Sequence, residues 1–249
     1  MSLKDKVIVI TGAASGIGLA TTRHFATLGA KLSLADIQPG PLSALEEELT
    51  SRGIQVLTRV VDVSSRTAVD SWINDTVAKF GKLDGAANIA GAIGNQHNSA
   101  SVTEIDDDDW DFVFSVNTKG LMYCLRAQVP HMNSGGSIVN AASISGLVGS
   151  KNNMAYVASK HAVVGMTRAL AKEVGDRNIR VNCFCPGPIE TPMLRKAAEI
   201  RGGEGDWSFL ALGRLGEVKE VPPLIEFLIS PASSFITGTA MSIDGGWNC

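Results

Sequence analysis

Lys6-Val-Ile-Val-Ile-Thr11 is a continuous apolar run of strand length, and Gly12-Ala-Ala-Ser-Gly16-Ile-Gly18 follows it at once. A helical pattern then runs through Leu19, Ala20, His24, Phe25 and Leu28 and ends at Gly29. A strand with no polar face needs cover on both sides, which points to a parallel sheet between helices. Gly12 permits a sharp exit from the strand, Gly16 a close approach of backbone to a ligand, and Gly18 a tight fit of helix on sheet. The helix that follows presents unpaired N–H groups and a positive dipole end, suited to an anion. The spacing G-x-x-x-G-x-G differs from the common G-x-G-x-x-G, and no Gly-Lys-Ser/Thr follows, which argues against a phosphoryl-transfer loop.

The same alternation continues along the chain. Apolar strand runs lie at Lys31–Asp36, Gln55–Val63, Leu83–Ala90, Gly136–Ala142, Ile179–Cys185 and Thr239–Ile243. Helical spacing is found at Leu42–Arg52, Thr67–Phe80, Trp110–His131, Met154–Val174, Thr191–Ile200 and Val221–Ile229. Strands alternating with long helices imply right-handed βαβ units. The expected fold class is therefore α/β: a single Rossmann-type doubly wound domain over 1–249, with a mostly parallel seven-stranded sheet flanked by helices on both faces. No linker or repeat divides the chain.

A net charge of −3 over 249 residues gives no basis for binding nucleic acid or an anionic membrane surface. Four cysteines without zinc spacing and four scattered histidines argue against a metal site. Cys183 and Cys185 should face one way as small core residues. With no leader-like segment and no apolar run long enough to span a bilayer, the expected location is cytoplasmic.

Two further features suggest chemistry. Tyr156 and Lys160 stand four residues apart in a helical segment and so share a face. An ammonium beside a phenol favours the phenolate. A free phenol titrates near pH 10, so proton transfer at neutral pH asks for a pKa roughly 3 lower, about 4 kcal/mol. A second positive charge, such as an oxidised nicotinamide ring, would have to contribute. Asp36 ends the second strand, 18 residues after Gly18, where a carboxylate accepts hydrogen bonds from ribose hydroxyls and repels a 2′-phosphate. Ser15 and Ile37 supply no cation to neutralise such a phosphate, so NAD is expected rather than NADP. Asp62 and Val63 would sit beside the adenine, and Asn88-Ile89-Ala90-Gly91 under the diphosphate and ribose. The acidic run Asp106–Asp109 fits a helix N-terminus and reads as solvated.

Together these residues resemble the classical short-chain dehydrogenase/reductase family over Lys6–Gly246. The motifs are T-G-x-x-x-G-x-G at Thr11–Gly18, N-N-A-G at Asn88–Gly91 with Ile89 in place of its second asparagine, and Y-x-x-x-K at Tyr156 and Lys160. Pro186-Gly187 and Asp244–Gly246 also match. The Ile89 departure should alter packing near the cofactor without abolishing binding. The resemblance implies that Ser143 steadies the substrate oxygen, Tyr156 acts as general acid or base, and Lys160 bonds the nicotinamide ribose. It implies that Asn117 binds a relay water, and that Ile189 and Thr191 anchor the carboxamide. Ser15, Ile17, Ile37, Pro186 and Gly187 complete the expected cofactor set.

The expected activity is interconversion of a secondary alcohol and a ketone on a hydrophobic small molecule or secondary metabolite. Ile93, Gly94, Ser145, Leu147 and a lid at about 188–212, carrying Met193, Leu194, Trp207, Phe209 and Leu210, would wall the substrate pocket. Trp207 and Phe209 could equally pack at a subunit contact. The alternatives are an NADP-preferring ketoreductase, or a dinucleotide-binding protein with a non-redox or scaffolding role. The resemblance also implies a homotetramer, or a dimer, with helices at 107–131 and 154–174 at one interface.

Overall fold

The computed structural model describes residues 3–249. Seven strands form one sheet: β1 (Val7–Thr11), β2 (Lys31–Asp36), β3 (Val56–Val60), β4 (Leu83–Asn88), β5 (Met132–Ala141), β6 (Arg180–Pro186) and β7 (Ala240–Ile243). Their order is β3-β2-β1-β4-β5-β6-β7 and every neighbouring pair is parallel. The helices are α1 (Gly16–Thr27), α2 (Pro39–Ser51), α3 (Arg66–Phe80), α4 (Asp107–Phe114), α5 (Leu121–Gln128), α6 (Met154–Glu173), α7 (Pro192–Arg201) and α8 (Pro222–Ile229).

β1 shows why the architecture follows from the sequence. Val7 and Val9 enter one core cluster, with Trp72, Leu125 and Val163, whereas Ile8 and Ile10 enter the other, with Phe25, Leu49 and Ile225. One strand thus feeds an apolar layer on each face, as its unbroken hydrophobic run requires. Cys183 and Cys185 both join the first cluster, as their spacing predicts. Strand order reverses between β1 and β4, so the chain leaves their C-terminal ends in opposite directions and opens a crevice there.

Three boundaries differ from the sequence reading. β3 closes at Val60, before Asp62-Val63. β5 begins at Met132, ahead of the glycines that had marked its start. The long helix is two, because residues Ser115–Gly120 between α4 and α5 form a π-helical turn. At the far end of β6, Arg180 is buried and donates to the Leu228, Ile229 and Ser230 carbonyls and to Ser233 Oγ. The guanidinium thereby serves the carbonyls at the C-terminus of α8, which no further helical N–H reaches.

Candidate active site

The crevice holds a cleft of about 370 Å³. The glycine turn forms its floor. Gly12 and Gly16 have φ of +66° and +48°, a region that residues with a Cβ rarely occupy. A Cβ on Gly18 would run into the Gly12 carbonyl oxygen, so helix α1 can lie this close only with glycine there. Ser15 caps α1 without a side-chain hydrogen bond, leaving the helix N-terminal N–H groups to the cleft. Opposite the turn, a Cβ on Gly16 would come within 3.3 Å of Thr191 Cγ2, so a side chain there would narrow the passage between α1 and α7.

Asp36 is 5% exposed and tied at both oxygens, accepting from Ala14 N–H at 2.9 Å and Gln38 N–H at 3.0 Å. The carboxylate therefore fixes the glycine turn as well as lining the cleft, with lone pairs to spare on each oxygen. Ile37 beside it is exposed. Thr11 Oγ1 accepts from both Ile89 and Ala90 N–H, locking the end of β4 to β1. Ile89 packs on the second core cluster, as expected of an apolar residue at a position where the motif carries asparagine.

Tyr156 and Lys160 project from the first turns of α6 into the same cleft. Lys160 Nζ donates to the Ala141 carbonyl at 2.9 Å and lies 5.6 Å from the Tyr156 ring centroid. Burial brings its pKa down to about 8. Burial also pushes the Tyr156 phenol up, while a hydrogen bond with Ser143 pulls it back. Desolvation thus opposes the phenolate, because a low-dielectric site disfavours the charged form. Ser143 follows β5 as the cap of a short 3₁₀ turn, its Oγ accepting from Ser145 N–H. Gly146 seats that turn on α6; a Cβ there would lie 2.7 Å from the Lys160 carbonyl oxygen.

Asn117 sits in the π turn, 2% exposed. Its Oδ1 accepts from Ala92 N–H at 2.8 Å, and its Nδ2 donates to Ala92 O and to Ser159 Oγ. Both amide N–H groups hold the loop after β4 against α6. Ser159 in turn donates to the Tyr156 carbonyl.

Of the residues singled out in the sequence, Gly12, Ser15, Gly16, Ile17, Gly18, Asp36, Ile37, Asp62, Val63, Ala90, Gly91, Tyr156, Lys160, Pro186 and Thr191 meet at this cleft. Asn88 does not. Its amide exchanges hydrogen bonds with Gln128 and donates to Asn140 Oδ1, and Asn140 donates on to Thr167. That chain is an interior polar network joining β4, α5, β5 and α6, so the Asn88 amide is engaged in the core rather than lining the cleft. Gly187 and Ile189 line a neighbouring depression with Leu210 and Asp244. Trp207 and Phe209 leave the cleft altogether and pack with Trp247.

Asp109 is also less solvated than expected. It accepts from Asn95 and Gln96 N–H groups and thereby folds the 94–105 loop back over α6. The loop carries a residue that no motif or spacing singles out: His97, whose ring stands edge-to-face on Tyr156 at 5.0 Å between centroids.

Residues 12–248 match the family model described as enoyl-(acyl carrier protein) reductase. Among curated proteins, the chain is 48% identical to the short-chain dehydrogenase/reductase aba4 of Botryotinia fuckeliana, over 98% of this chain and 97% of that protein. The chain belongs to the short-chain dehydrogenase/reductase family. Another member, levodione reductase of Leifsonia aquatica, is 37% identical over 97% of this chain and 94% of its own. The crystal structure of levodione reductase superposes with a TM-score of 0.89 at 35% identity, covering 98% of this chain and 97% of that one. A fluorescent protein from a metagenomic library, solved in complex with NADPH, superposes with a TM-score of 0.90 at 28% identity over 100% of both chains. The short-chain dehydrogenase/reductases are oxidoreductases, and the fold described above is theirs.

Proposed function

We propose that this short-chain dehydrogenase/reductase is an NAD(H)-dependent enzyme that interconverts a secondary alcohol and a ketone on a small, largely apolar molecule. One observation carries the reading: the phenol of Tyr156 and the ammonium of Lys160 open into the same cleft as the glycine turn and Asp36. The residues present suit a dinucleotide. Uncapped N–H groups of α1 meet a diphosphate, Asp36 has oxygen lone pairs left for ribose hydroxyls, and Gly16 keeps the passage to Thr191 clear. When bound, the nicotinamide supplies or accepts the hydride.

The chain's own residues handle the proton and the oxygen. Tyr156 gives its phenolic proton to the carbonyl oxygen in reduction and takes it back in oxidation. Ser143, which acts to lower the pKa of that phenol, steadies the charge that develops on the same oxygen. Lys160, held at Ala141 O, places a positive charge one helical turn away and favours the phenolate. Asn117 positions α6 through Ser159 and Ala92. Pro186 closes β6, Gly187 and Ile189 follow it, and Thr191 caps α7; these residues would hold the nicotinamide end. A carboxylate at position 36 disfavours a 2′-phosphate, which supports NAD over NADP. The enzyme works as a homotetramer or a dimer in the cytoplasm.

The test is oxidation of NADH and of NADPH, followed by fluorescence, against a panel of apolar ketones. Turnover with NADH well above that with NADPH is the expected result. Turnover favouring NADPH overturns the cofactor assignment, and no turnover with either overturns the activity.

A further inference from the structure

Behind Tyr156, on the side away from the glycine turn, a second cavity of about 20 Å³ is lined by His97, Asn153 and Tyr156 itself. It has room for one water-sized polar group. Two side-chain atoms buried there, His97 Nδ1 and Asn153 Oδ1, have no hydrogen-bond partner. Asn153 is 6% exposed, and its amide nitrogen reaches Ser150 Oγ only at 3.4 Å. Buried polar atoms left unpaired are costly, and two on residues lining one small space call for a partner there.

The chemistry of the pair narrows that partner. Burial and the charge of Arg201 bring His97 down to about 4, while Asp109 acts in the opposite sense. The imidazole is therefore neutral at physiological pH and offers one N–H and one lone pair. Asn153 Oδ1 can only accept. A carbonyl would leave Asn153 unpaired, and a cation would have to shed its water to enter a space of this size. A hydroxyl satisfies both, donating to Asn153 Oδ1 and accepting from His97 Nδ1–H. The edge-to-face contact with Tyr156 and the tether of the loop to Asp109 hold the imidazole in place.

We propose that His97 and Asn153 form a subsite for a second hydroxyl of the substrate, remote from the carbon that exchanges hydride, so that the preferred substrates are hydroxyketones and the corresponding diols. This rests on the alcohol–ketone reading above. A fixed water could offer the same hydroxyl chemistry, and the experiment separates the two.

The experiment compares kcat/KM for pairs of ketones that differ only in a remote hydroxyl, across a series varying the separation of the two oxygens. The enzymes are the wild type, His97→Phe and Asn153→Leu, each made singly so that a folding failure in one leaves the other, and each checked by NADH fluorescence. The expected result is a wild-type preference of about tenfold or more for one hydroxyketone, carried mainly in KM, that falls toward one in either variant. Equal kcat/KM for both members of every pair, or a preference unchanged in both variants, overturns the assignment and leaves the cavity to water. Turnover of no ketone brings down the alcohol–ketone reading, and this subsite with it.

Discussion

Lys160 resides where burial works against its own charge, and that has a measurable consequence. Its pKa is about 8 in the folded protein against 10.5 ordinarily. Between those values the unfolded chain binds more protons at this site than the native one, so stability rises with pH through the window. Below about 8 both states carry the proton, and the penalty of the buried charge is felt in full. Tyr156 has the opposite sign: its raised pKa makes stability fall as pH climbs past the ordinary phenol value of 10. The urea midpoint should therefore climb between pH 8 and pH 10, and Lys160→Met should remove most of that climb; the same slope in both proteins contradicts it. Asn88 provides a second residue-scale test. Its buried network predicts that Asn88→Ala lowers unfolding free energy by about 2 kcal/mol while NADH affinity stays close to wild type. The sequence motif alone predicts the reverse, loss of affinity at unchanged stability. The motif named the position correctly but could not say which way the amide turns, because that depends on Gln128 and Asn140, 40 and 52 residues away.

The elements were legible wherever hydrophobic period and glycine punctuation agreed, as in β1, α1, β2 and α6. They were less legible where the deviation leaves no mark on the period. Ser115–Gly120 contains no proline and keeps its apolar spacing, so nothing in it announces a π turn. The extra residue makes sense only once the Asn117 bonds to Ala92 and Ser159 are seen. The strand was read from Gly136, and its start at Met132 was missed because Asn133-Ser134-Gly135 carries no apolar residue and the register against β4 is irregular there. Arg180 is an element-scale device of the same hidden kind, a cation on a strand that ends a distant helix. Arg180→Met should lower unfolding free energy by roughly 3 kcal/mol in denaturant titrations, since four buried hydrogen bonds are lost at once, among them the donor to Ile229 O. A change under about 1 kcal/mol would mean that those carbonyls find other partners.

For the molecule as a whole, the reversal of strand order between β1 and β4 decides where chemistry can occur; the βαβ alternation pointed to a doubly wound sheet but not to the strand order. The proposed constellation was legible because its residues sit at strand ends and on one helix face. His97 was not, because a loop histidine gains meaning only when Asp109 folds its loop onto Tyr156. The proposed assembly also belongs to this scale. Phe112, Met122 and Met154 are exposed on α4, α5 and α6, the helices expected at an interface. Size-exclusion chromatography with light scattering should give about four, or two, times the 26.2 kDa chain mass, and a monomer would contradict the proposal. Among the described residues no helix is long and apolar enough to cross a membrane. The central claim is that the nucleotide cleft and the Tyr156 phenol are one site, and Tyr156→Phe tests it most directly. With NADH and a ketone that the wild type reduces, kcat should fall by about a thousandfold while the NADH dissociation constant, read from cofactor fluorescence, stays near that of the wild type. Retained turnover in that variant would contradict the account.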